Sequence, residues 1–145
     1  MYKHLLIATD GSDLALKAVE QGLALAKALN AKATAITATE SWTTIATGEM
    51  GMAFPIEEYE TGCAENAAKI LDAVSKLAAQ AGVSCQTVHV KDQFAAEGII
   101  ETAKSLGCDL IVMASHGRRG ISRLLLGSQA NTVLTHSTVP VLICR

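Results

Sequence analysis

The segment best suited to chemistry is Ala114-Ser115-His116-Gly117, nine residues, then Gly127-Ser128, because an apolar run precedes it and a helical pattern follows. Small residues let a backbone approach an anion closely, and the first N–H groups of a helix attract negative charge. Gly117, Gly127 and Ser128 therefore have the makings of a phosphate cradle, with the Ser128 hydroxyl and the N–H groups of Ser128 and Gln129 turned to phosphate oxygens. A simple turn and helix cap would use the same Gly127-Ser128 pair. A second polar group, Thr9-Asp10-Gly11-Ser12, also follows an apolar run. Asp10 could bond a ligand or help hold a hydrated Mg²⁺, or serve as an ordinary turn aspartate. Arg118, Arg119 and Arg123 either neutralise outer phosphates or form a solvated loop face. His116 has no nucleophile or acid partner nearby in sequence and shapes its loop; no catalytic residue is expected.

These groups must be positioned by the elements between them. Lys3 to Thr9 reads as a strand, and Ser12 as the N-cap of a helix from Asp13 to Asn30 whose Val19, Leu23, Ala26 and Leu29 fall on one face. A second strand spans Ala33 to Thr39, and a long loop carrying Trp42, Met50, Met52 and Phe54 runs from Glu40 to Pro55. That loop folds over a ligand, over its own domain or over a second copy. Glu57 to Ala81 is helical, with Glu65-Lys69 and Asp72-Lys76 pairs, an Ile70, Val74, Leu77 stripe, and Gly82 at its end. Val83 to Val90, a helix from Ala95 to Leu106, a strand from Cys108 to Met113, a helix from Ser128 to His136 and a strand from Val139 to Cys144 complete the alternation. Strict alternation predicts an α/β, doubly wound, five-stranded parallel sheet with four helices. In the order 3-2-1-4-5 the winding reverses between strands one and four, which brings Thr9-Asp10 beside Ala114 to Gly117.

Half of the residues are hydrophobic and only 3% aromatic, so Ala, Leu, Ile and Val must build the core. The length predicts one domain, residues 1–145. A net charge of −2 gives no global reason to expect a nucleic-acid partner, and leaves only a local basic patch open. No apolar run approaches the roughly 20 residues of a membrane span and no signal-peptide pattern opens the chain, so a cytoplasmic protein is expected. Cys63, Cys85, Cys108 and Cys144 are scattered without a CxxC pair, and the four histidines lack zinc-site spacing. Buried structural thiols and no protein-held metal are the expectation.

Thr9-Asp10-Gly11-Ser12, the run from Met113 to Gly120, Leu126-Gly127-Ser128 and the closing Val139 to Ile143 together resemble the universal stress protein family over essentially the whole chain. Its ATP-binding members carry Gly-x2-Gly-x9-Gly-Ser/Thr, matched here by Ala114, Gly117, Gly127 and Ser128, with alanine at the first glycine. A methyl there matters if the position needs positive φ or touches a ribose. The resemblance implies a Rossmann-like domain that binds ATP, or AMP or ADP, with any Mg²⁺ held through the phosphates. The implied contacts are Ala8, Thr9, Asp10, Ala38, Met113, Ala114, His116, Gly117, Arg118, Gly127, Ser128 and Gln129, with Ala38 acting through its main chain. It also implies a homodimer through Val139 to Cys144, unidentified regulatory protein partners and a role in stress survival. Two alternatives stand beside it: a dimeric scaffold without nucleotide, and slow ATP hydrolysis or phosphoryl transfer. The second lacks a Gly-Lys-Ser/Thr element and an evident base.

Overall fold

The computed structural model describes residues 1–46, 55–117 and 125–145. Five parallel strands form one sheet in the order β3-β2-β1-β4-β5, as the alternation predicts. They are β1 (His4–Ala8), β2 (Lys32–Thr39), β3 (Cys85–Lys91), β4 (Leu110–Ala114) and β5 (Val141–Cys144). Every residue of β1 and β4 is buried. That is the burial of strands covered on both faces, and it explains their continuous apolar sequences.

The strand alternation divides the core in two. Leu5, Ile7, Leu110 and Val112 point to the face covered by α1 (Asp13–Leu29) and α3 (Ile56–Ala81). Leu6, Ala8, Ile111 and Met113 point to the other face, covered by α4 (Ala95–Ser105) and α5 (Ser128–His136). Ser12 caps α1 as expected, its side chain accepting from the Ala15 N–H.

The expectation of four helices is corrected to five among the described residues. A short α2 (Trp42–Ala46) sits inside the segment read as loop. Ser41 nucleates it, its Oγ accepting from the Thr44 N–H at 3.3 Å and its carbonyl from Ile45. One turn is too short to show a hydrophobic period. Met50, Met52 and Phe54 of that segment lie outside the described residues.

Three strands start later than the apolar runs do. The Val83 N–H is taken by the Ala78 carbonyl at the end of α3, the Cys108 N–H by Ala103 at the end of α4, and the Val139 N–H by the Ser137 hydroxyl. Pro140 therefore precedes β5 and contributes only its carbonyl, to Ile111. On α3 the buried stripe is Ala67, Leu71, Val74 and Ala78. Of the stripe read from sequence, Leu77 packs at the core margin and Ile70 turns toward a cleft. Asp72–Lys76 closes at 2.9 Å and is the ion pair formed among the described residues. Cys108 and Cys144 are buried as expected, whereas Cys63 and Cys85 are half-buried. Among the described residues no helix is long and apolar enough to cross a membrane.

Candidate functional site

The carboxyl ends of β1 and β4 lie side by side, and a cleft of about 510 Å³ opens beyond them. Parallel sheets offer such a crevice where consecutive connections leave to opposite faces. Here α1 leaves β1 for one face and the chain after β4 enters α5 on the other.

The turn after β1 is built by its own side chains. The Thr9 N–H bonds the Ile36 carbonyl, Thr9 Oγ1 accepts from the Gly11 N–H at 3.1 Å, and Asp10 Oδ1 accepts from the Ser12 N–H at 2.9 Å. With Oδ1 engaged by the backbone, the Asp10 carboxylate is held against Gly117. A Cβ on Gly117 would stand 2.7 Å from Asp10 Oδ2. Any larger residue at 117 would have to displace the Asp10 carboxylate.

The second loop closes on α5. The Gly127 N–H bonds the Ser115 carbonyl at 2.8 Å, and a Cβ on Gly127 would meet that same oxygen at 2.9 Å. Gly127 is the N-cap of α5, with no side chain to cover the first turn, and Ser128 is the first helical residue. The first intrahelical bond runs from the Asn131 N–H to the Gly127 carbonyl. The N–H groups of Ser128 and Gln129 precede it and carry the positive end of the helix dipole. Gln129 also bridges two helices, because its Oε1 accepts the Ala96 N–H at 2.9 Å and ties the first turn of α5 to that of α4. His116 Nδ1 pairs with the Ser115 hydroxyl at 3.0 Å.

Ala114 ends β4 opposite Cys144, and its methyl packs with the core on the α1 and α3 face. Among the described non-glycine residues only Asn30 and Asp92 have positive φ. The position thus makes no conformational demand for glycine.

The structure brings all the expected contact residues onto the walls of this one cleft except Arg118, which, with Arg119 and Arg123, lies outside the described residues. Sequence reasoning missed the wall supplied by α2 and α3: Ile45, Tyr59, Cys63, Asn66 and Ile70. The α3 members recur at spacings of three and four, a continuation of the buried stripe into the cleft. Tyr59 donates its hydroxyl to the Glu40 carbonyl at 2.7 Å, and its pKa is pushed up to about 12 by burial and then by its bond with Cys63. It remains a protonated donor at any physiological pH. Together the parts can hold an elongated polyanion with its charge at α5 and an apolar group toward β2 and α3.

The sequence profile of the universal stress protein family matches residues 1–145. The universal stress protein YxiE of Bacillus subtilis (strain 168) is 32% identical over 149 residues, covering 100% of both chains. Two solved structures align closely. Hypothetical protein MJ0577 has a TM-score of 0.79 and 26% identity, over 99% of this chain and 96% of that one. A universal stress protein in complex with cAMP has a TM-score of 0.72 and 26% identity, over 99% of this chain and 97% of its own.

Proposed function

This chain belongs to the universal stress protein family, and from that premise we propose that it binds an adenine nucleotide between β1 and β4 as a nucleotide-responsive regulatory module. The observation that carries this reading is the glycine-tight approach of Gly117 to Asp10 beside the glycine-capped start of α5. Phosphates would sit on the N–H groups of Ser128 and Gln129, with the Ser128 hydroxyl beside them. The base would lie toward β2, where Ala38 lines the cleft and its main chain would read a heterocycle's edge. Asp10 would stand between them, its carboxylate suited to a ribose hydroxyl. The relative solved with cAMP supports an adenine nucleotide as the ligand class. The ligand would be ATP, ADP or AMP, and Mg²⁺ would enter with the phosphates of the first two.

The module would work in the cytoplasm as a homodimer. Strand β5 is an edge of the sheet, with Leu142 exposed, and pairing there would satisfy its open backbone groups. Regulatory partners would read the occupied state.

Titration calorimetry of nucleotide-free protein with AMP, ADP, ATP and cAMP tests the reading. Binding with micromolar Kd by at least one of them is expected; no heat from any at millimolar concentration overturns it.

A further inference from the structure

The first seven residues of α3, 56–62, are all exposed except Tyr59. The helix begins after Pro55 with no side-chain cap bond; its local supports are the Tyr59 N–H to Pro55 carbonyl bond and the first-turn Glu57 and Glu58. Tyr59 is half-buried, lines the cleft, and reaches across 19 positions of sequence to the Glu40 carbonyl, just past the end of β2. It is also the only phenylalanine, tyrosine or tryptophan among the described residues lining the cleft. In the sheet order β2 lies on one side of β1 and β4 on the other, so this anchor stands at the end opposite α5.

We propose that Tyr59 is the positioning residue of the base end: its hydroxyl latches the start of α3 to the Glu40 carbonyl and thereby sets the width of the slot that receives a planar heterocycle. The inference rests on the nucleotide reading and adds a residue outside the glycine pattern to it. The latch contributes to ligands that carry a base and is indifferent to the phosphate cradle. Its ring supplies a flat apolar wall beside Ile45 and Ile70, while the hydroxyl holds that wall in place.

Tyr59→Phe keeps the ring and removes the latch, so it separates the two contributions. The variant is expected to bind AMP about three- to tenfold more weakly than the parent, the range of one neutral hydrogen bond. It should bind ribose 5-phosphate, which has no base, as the parent does. Hydrogen exchange of the free protein should quicken across residues 56–63 while the strands stay unchanged. Unchanged AMP affinity, equal losses for both ligands, or unchanged exchange across 56–63 each overturns the latch. A parent protein that binds no AMP fails the nucleotide reading instead and takes the latch with it. A parent that binds AMP beside an unaltered variant fails the latch alone.

Discussion

Gly117 and Asp10, 107 positions apart in sequence, touch so closely that a Cβ on Gly117 would lie 2.7 Å from Asp10 Oδ2. The other carboxylate oxygen is engaged by the Ser12 N–H, so the side chain has little freedom to swing aside. Gly117→Ala should therefore move Asp10 while leaving the buried strands in place. Calorimetry is expected to show AMP binding weakened about tenfold or more, with the thermal midpoint lowered by only a few degrees. Full affinity in the alanine variant would remove Asp10 from the binding surface.

The sheet was legible in the sequence because each strand is a short apolar run bounded by a turn or helix cap, and because both faces need helices. The glycine loops were legible because they follow strand ends. Tyr59 was not: its partner is a main-chain carbonyl 19 residues away, a contact created by the path of α2 and α3. A half-exposed helix stripe of Tyr59, Cys63, Asn66 and Ile70 has no counterpart in binary hydrophobic patterning, which scores asparagine as surface. The strand starts were misplaced for a related reason. Val83, Cys108 and Val139 are as apolar as strand residues, but their N–H groups are used elsewhere.

Cys63 offers a reporter inside the cleft. It is half-buried there, whereas Cys108 and Cys144 are buried and Cys85 lies on the edge strand β3. Burial raises the Cys85 thiol pKa, so Cys85 makes a slow internal reference. Saturating AMP is expected to slow iodoacetamide modification of Cys63 several-fold and to leave Cys85 unaffected, as read by peptide mass spectrometry. Equal protection of both, or of neither while AMP is bound, would place the nucleotide elsewhere.

The pH dependence of stability has a definite sign. His4, on β1, is buried with Nε2 2.8 Å from Thr34 Oγ1; burial, then the nearby Lys32, lowers its pKa below 6.5 against the opposing pull of the Leu106 backbone bond and then of Asp109. The His89 pKa is lowered too, by burial and Lys91. A lowered folded pKa means that the unfolded chain takes the proton first, so stability is full above pH 6.5 and falls as the pH drops from there through the folded pKa values. Asp109 acts further down: burial opposes its ionisation, but the backbone N–H groups of His4 and Lys3 hold its pKa low. Urea midpoints measured from about pH 8 to about pH 5 should fall in the acid half of the range, and less so in His4→Gln. A midpoint that rises on acidification, or a variant as pH-sensitive as its parent, contradicts the assignment to His4.

Ala114 decides whether the missing glycine of the family pattern weakens the site. Its backbone is an ordinary strand end paired with β5, and its methyl is buried among residues of the α1 and α3 face. Ala114→Gly would remove that methyl from the core and loosen a strand, each change costing somewhat under 1 kcal/mol. The expected result is therefore a protein about 1–2 kcal/mol less stable in urea titration, with AMP affinity changed by less than about twofold. A gain of about tenfold in affinity would show that the methyl obstructs the ligand, since about 1.4 kcal/mol is too large for a main-chain adjustment at an already extended residue.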